Sequence, residues 1–205
     1  LSKMTTEEYV RDDNFEVIGV AVKVDDAETQ WFTGTYPETF HFLRQFKWDE
    51  AFVLAHNTMF DGAILSWKFG IKPMAWLDTL CMARATDGLE VGNSLAKLAE
   101  RYNLGVKGDE VVNALGKRRT AFSNEDLERY GSYCRNDVDL TYALFQCLAP
   151  RFNKTELKLI DLTLRMFTEP VLELDLPLLE QHLEEVKERK EKLLAAADSD
   201  KEALL

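Results

Sequence analysis

Asp61, Tyr133 and Asp137 are the residues of this chain whose types and spacing could do chemistry together. Tyr133-x-x-x-Asp137 puts a phenol and a carboxylate on one face of a helix, because residues four apart are neighbours there. Asp61 follows a short apolar run at 51–55 and the polar tripeptide His56-Asn57-Thr58. That pattern reads as a strand buried on both faces, then a turn, then a helix. Open α/β sheets carry their chemistry at such strand ends. Two carboxylates meeting there repel unless cations bridge them. Oxygen ligands suit Mg²⁺ or Mn²⁺ rather than zinc. Two such ions about 3.5–4 Å apart are the usual arrangement for phosphodiester cleavage, one orienting a water and the other stabilising the leaving oxygen.

Each residue also has a plainer explanation. Thr58-x-x-Asp61 fits a capping box, and a carboxylate in a first helical turn is favoured by the dipole with no function attached. Tyr133 fits a half-buried aromatic and Asp137 a surface acid beside Arg135. Tyr-x-x-x-Asp alone is a common pattern.

The elements that must position these residues follow from periodicity. Residues 15–24 alternate as a strand, with Ile18, Val20, Val22 and Val24 on one face, and pair as a hairpin with 29–33 across the turn Asp25-Asp26-Ala27-Glu28. Pro37 opens a helix striped by Phe40, Leu43 and Phe46. After the strand at 51–55, Phe60, Ile64 and Trp67 mark a helix that ends at Gly70 and Ile71. Asp78 and Ser94 can cap the next two helices. The stretch 106–120 reads as irregular and holds the densest basic cluster, Lys117-Arg118-Arg119. Ser123-x-x-Asp126 opens a helix that Gly131 could break, and 133–149 continues as helix to Pro150. A mixed sheet over 15–148 is expected, with 51–55 central and the hairpin to one side. Domain 1–150 is thus α/β, and 151–205 reads as a helical connector whose long charged helix carries a narrow apolar stripe.

Composition sets limits. A chain of 205 residues holds one sizeable domain with room for an appendage. Cys81, Cys134 and Cys147 are too few and too scattered for a disulfide framework, and read as free thiols in a reducing cytosol. No apolar run approaches the ~18 residues of a membrane span, so no membrane partner is expected. A net charge of −11 speaks against electrostatic coating of nucleic acid. It leaves room for a nuclease, whose bound cations supply positive charge where phosphate docks.

Taken together, His-Asn-x-x-Phe-Asp after a strand and Tyr-Cys-x-x-Asp on a late helix resemble the DEDD 3′–5′ exonuclease superfamily, tyrosine subclass. Ser132 stands where the other subclass has histidine. The flanks, among them WLDTLCMARAT and NSLAKLAERYNL, look like the proofreading domain of phage-encoded family A DNA polymerases. Residues 156–183 are similar to the stretch leading towards a polymerase thumb. The resemblance implies a ribonuclease H-like fold, two Mg²⁺ or Mn²⁺ ions in the intact domain, and hydrolysis at a single-stranded DNA 3′ end. It implies Asp61 and Asp137 as metal ligands, Tyr133 orienting the attacking water, and Asn57 supporting the site or contacting DNA, with Phe60 as a further nucleic-acid contact. It further implies a polymerase domain in the same parent chain and a bacterial cytoplasm during phage infection. Independently of the resemblance, the basic cluster Lys117, Arg118 and Arg119 reads either as a solvated loop or as a contact to the incoming strand's phosphates.

The family's Asp-x-Glu motif, which supplies two of four acidic groups, should precede the hairpin and is expected upstream of Leu1. Asp26-x-Glu28 matches its letters but falls in the hairpin turn. With two acids, this chain is expected to hold one ion weakly and to turn over slowly or not at all. Two other readings stand beside this one: a ribonuclease D-like exoribonuclease, and a catalytically silent module that positions nucleic acid.

Overall fold

The computed structural model describes residues 4–108 and 117–202, with side chains to residue 197. The irregular stretch read at 106–120 therefore lies partly outside the described residues. A first compact unit runs to Pro170, and a second begins at Val171.

The first unit opens with α1 (Thr6–Arg11), closed by a Thr5/Glu8 capping box. Strands β1 (Val20–Val22) and β2 (Gln30–Phe32) pair antiparallel, Val20 opposite Phe32. The turn between them carries Asp25 at a φ of 47°, and the Tyr142 hydroxyl donates to Asp26 at 3.0 Å. Asp26 is thus spent on a turn contact. Helix α2 (Tyr36–Leu43) follows, then β3 (Phe52–Ala55) and α3 (Thr58–Ala63), which widens into a π-helical turn at Ile64–Lys68. Strand β4 (Ala75–Asp78) pairs parallel to β3, Ala55 opposite Asp78. Helices α4 (Thr79–Asp87), α5 (Leu95–Arg101), α6 (Asn124–Leu148) and α7 (Lys154–Thr168) complete the unit.

The fold is mixed α/β, as the sequence indicates, but its sheet is not the one expected. Among the described residues there are two separate two-stranded sheets, β1–β2 and β3–β4. β3 has one strand partner, and Phe52 is 64% exposed, so the run at 51–55 is neither central nor covered on both faces. The long α6 packs against β1, β2 and β3 and joins what a continuous sheet was expected to join.

Two apolar clusters follow from this layout. Met82, Ala83, Leu95, Leu98, Ala99, Leu140, Leu144 and Leu148 lock α4, α5 and α6 together. Phe42, Leu43, Phe69 and Ile71 gather the hairpin and α2 against the end of α3. The compact unit also runs past residue 150, where the sequence set its boundary. Helix α7 packs on α3 and β4: the Trp76 amide donates to Asp161 at 2.8 Å, and Arg165 donates to the Pro73 and Met74 carbonyls. The second unit contains α8 (Leu176–Glu202), its start held by the Leu178 amide donating to Asp175 at 3.1 Å.

Gly131 does not break α6. A Cβ there would lie 2.5 Å from the Trp31 indole nitrogen, so the glycine exists to let β2 approach the helix. Alanine is the better helix former by about 1 kcal/mol, yet Gly131→Ala is expected to lower stability by about 1–3 kcal/mol through overpacking. Urea unfolding midpoints test this, and a gain in stability would contradict the Trp31 contact.

Candidate active site at the end of the parallel strand pair

The site is built around the turn between β3 and α3. Asn57 takes a left-handed conformation, φ 70° and ψ 53°, which swings the chain sharply from strand into helix. Asp78, at the end of β4 and 2% exposed, receives the consequences. Its Oδ1 accepts from the Asn57 amide at 3.0 Å and the Leu80 amide at 2.8 Å, and its Oδ2 accepts from the Thr58 amide at 3.1 Å. One buried carboxylate therefore satisfies the start of α3 and the start of α4 together.

This arrangement removes the capping-box explanation of Asp61. Thr58 is fully buried and its hydroxyl donates to the Leu77 carbonyl at 2.6 Å, so it does not cap α3. Asp61 is left in the first turn of α3 with its carboxylate available to its surroundings. Those surroundings are acidic. Crowding by protein comes first, and with the negative charges of Asp78 and Asp137 it pushes the Asp61 carboxyl up to about 7, against the pull of its own backbone amide. The residue keeps an open face to solvent, so this crowding is one-sided.

Asp137 and Tyr133 come from the middle of α6. Burial and the neighbouring Asp137 carboxylate push the Tyr133 phenol well above its ordinary value. Between them on the helix, the Cys134 thiol is pushed up to about 12 by burial and then by Asp137, which leaves it a protonated, inert thiol. Lys107, from the segment before α6, forms an ion pair with Asp137 Oδ2, and its ammonium lies 4.8 Å from the centre of the Tyr133 ring. Asp137 Oδ1 is buried with no hydrogen-bond partner among the described residues.

His56 closes the back of the turn. Its Nε2 lies 3.1 Å from the Asn93 carbonyl, which can only accept, so Nε2 carries the proton and Nδ1 accepts from the Thr79 hydroxyl at 2.9 Å. Burial first, and Lys107 with it, hold the imidazole below its ordinary value, while Asp78, Asp137 and the Asn93 carbonyl oppose. His56 therefore acts as a neutral strut joining β3 to α4 and to the loop before α5.

The other sequence candidates divide. Asn57 is exposed beside the acids. Phe60 is half-buried, its ring stacked on Tyr9 of α1 at 6.0 Å. The basic cluster is turned to structural use: Lys117 lies over the Phe122 ring, Arg118 donates to Asn14, and the Arg119 amide donates to Glu16. These contacts tie the lead-in at 14–16 to the start of α6. Lys107 escaped the sequence reading because a lone lysine in an irregular stretch has no period to betray it. The bracing role of Asp78 escaped because its cap on α4 was legible and its second set of donors was not.

Whether these residues fit a divalent ion can be judged from the donors. Asp78 has both oxygens engaged by amides. Asp61 and Asp137 remain, Asp137 beside the Tyr133 phenol, which hydrogen-bonds to it, and both within reach of each other's charge. Among the described residues no group of three or more His, Cys, Asp or Glu is placed to hold a metal. Two carboxylates are too few to hold the pair of ions that phosphodiester cleavage usually employs; at most they could contribute ligands to one.

Two expectations follow. Asp78→Ala leaves three amides without their acceptor, that of Thr58 fully buried, and should cost about 1–3 kcal/mol in urea unfolding; a loss within experimental error would mean that the turn does not depend on it. For Asp61, the native state holds a proton across the window from about pH 4 to about 7 that the unfolded chain has released, so stability falls as pH rises there. His56 acts with the opposite sign, costing stability as pH falls below its unfolded value. The difference between Asp61→Asn and the parent isolates the first effect. The variant should be the more stable at about pH 8, with the gain fading towards about pH 4. A pH-independent difference in unfolding midpoint would contradict the crowded carboxyl.

Comparison with known families gives a match over most of the chain. A 3′–5′ exonuclease family model, of the DNA polymerase A type, matches residues 6–153, which include every residue of the site. Comparison with curated proteins gives no significant match, and comparison with solved structures gives none either. No helix among the described residues is long and apolar enough to cross a membrane.

Proposed function

Because the chain belongs to the 3′–5′ exonuclease family, we propose that it removes nucleotides from a single-stranded DNA 3′ end, as the proofreading module of a family A DNA polymerase of the phage type. The observation that carries this reading is that Asp61, in the first turn of α3 after the β3 strand end, lies within electrostatic reach of Asp78 and Asp137. The tyrosine subclass and the ribonuclease H-like fold belong to the same proposal.

In this reading the carboxylates of Asp61 and Asp137 would hold a divalent cation, Mg²⁺ or Mn²⁺. When bound, the ion supplies the positive charge that a phosphodiester needs in order to approach an acidic chain. The protein's own residues do the rest. Tyr133 presents a phenol that stays protonated, so it can donate to and orient a water beside Asp137. Asn57, exposed on the sharp turn, would meet the terminal nucleotide, and the half-buried Phe60 would contribute the open edge of its ring beside the base. Lys117, Arg118 and Arg119 would meet the strand's phosphates while keeping their contacts to Phe122, Asn14 and Glu16. The parent chain's polymerase domain would deliver the substrate, within a bacterial cytoplasm.

Two available carboxylates hold one ion weakly, so turnover by this chain is expected to be slow. The test is a 5′-labelled single-stranded DNA incubated with the 205-residue chain and Mg²⁺, beside an RNA of the same sequence. Slow shortening from the 3′ end, greater on DNA, is expected. Asp137→Asn should reduce it roughly 100-fold or more, and Tyr133→Phe roughly tenfold. Preference for RNA would favour the ribonuclease D-like reading. Complete silence with retained DNA binding would favour a positioning module. Shortening that survives Asp137→Asn would overturn the site.

A further inference from the structure

The Lys107–Asp137 pair is a built arrangement rather than a chance surface contact. The two side chains are 23% and 25% exposed, so the pair is half-shielded from water and salt. The segment carrying Lys107 is held on both sides. The Asn136 amide donates to the Val106 carbonyl at 3.0 Å, next to Asp137 itself. On the other side Gly108 lies so close to Tyr133 that a Cβ there would come within 3.2 Å of the ring. The ammonium then has two neighbours, the Asp137 carboxylate and the π face of Tyr133.

We propose that Lys107 is the resident counter-cation of Asp137, occupying that carboxylate in place of a divalent ion and leaving it when an ion binds. The inference rests on the reading that Asp61 and Asp137 hold a metal. A carboxylate cannot keep an ammonium in contact and also give its charge to a divalent ion, because the two cations repel across a few ångströms. Lysine suits such exchange. Its charge is compact, its stem is flexible, and it makes no bidentate fork that would have to be broken. The Tyr133 face gives the displaced ammonium an adjacent resting place. In the metal-free chain the pair also spares the site an uncompensated cluster of acids.

The test is a titration of the full 205-residue chain with Mn²⁺, free ion being read by electron paramagnetic resonance. Lys107→Met keeps a stem of similar length and removes the charge. It should bind Mn²⁺ about tenfold more tightly than the parent or better, the scale of one partly screened unit charge. Adding Asp137→Asn to that variant should abolish the gain, and Lys107→Arg, which keeps the charge, should stay near the parent. Unchanged or weaker affinity in Lys107→Met, with Asp137→Asn still weakening the parent, would overturn the counter-cation and leave the metal site standing. Binding that is absent throughout, or indifferent to Asp137→Asn, would overturn both. The unaltered chain offers a second readout that needs no variant to fold. Acetylation of Lys107, followed by mass spectrometry, should rise several-fold as Mn²⁺ is added, on the same charge-competition argument. A constant rate would overturn the proposal.

Discussion

The buried Asp78 carboxylate is the constraint on which the site depends. A strand that ends and turns at once into a helix leaves amides pointing nowhere, and here two helices begin within a few ångströms of each other. Asp78 accepts from Asn57, Thr58 and Leu80, and so binds the β3–α3 turn to the β4–α4 junction. The left-handed Asn57 is tolerable because that network over-determines it. The same carboxylate contributes negative charge to Asp61. Scaffold and electrostatics are thus one device: the acid that fixes the turn also charges the site the turn presents.

Charge compensation is the second theme. The chain carries net charge −11 and concentrates acids at the turn. Asp78 is compensated by amides, Asp137 by Lys107, and Asp61 by being driven towards its protonated form. These are the three ways a protein can keep a crowded carboxylate, by hydrogen bonds, by a counter-charge or by a proton. A divalent ion offers a fourth, and it would act on the two acids whose present compensation is easiest to exchange.

Much of this was legible in the sequence where a single local rule governs. The Asp78 and Ser94 caps, the Ser123 capping box and the helix end at Gly70 all stand as their residues indicate. The same holds for the mixed α/β class and for Asp61 at a strand end with Tyr133 and Asp137 on one helix. Legibility failed where the deciding contact is distant in sequence. The run at 51–55 reads as a central strand, since a short apolar segment cannot report how many partners it will have. Gly131 reads as a break because its reason, Trp31, lies a hundred residues away. Thr58-x-x-Asp61 reads as a capping box because the true acceptor, Asp78, comes from another strand. Residues 154–168 read as part of a connector, although Asp161 and Arg165 bind them to β4 and the loop before it.

The central claim is that Asp61 and Asp137 form one cation site at the β3–α3 turn. Crystals of the chain grown without metal and soaked in Mn²⁺, with anomalous scattering recorded at the manganese edge, test it most directly. The account predicts one anomalous peak between the two carboxylates, with the Lys107 ammonium displaced from Asp137. A peak bound elsewhere, or none at a concentration that saturates binding in solution, would contradict it.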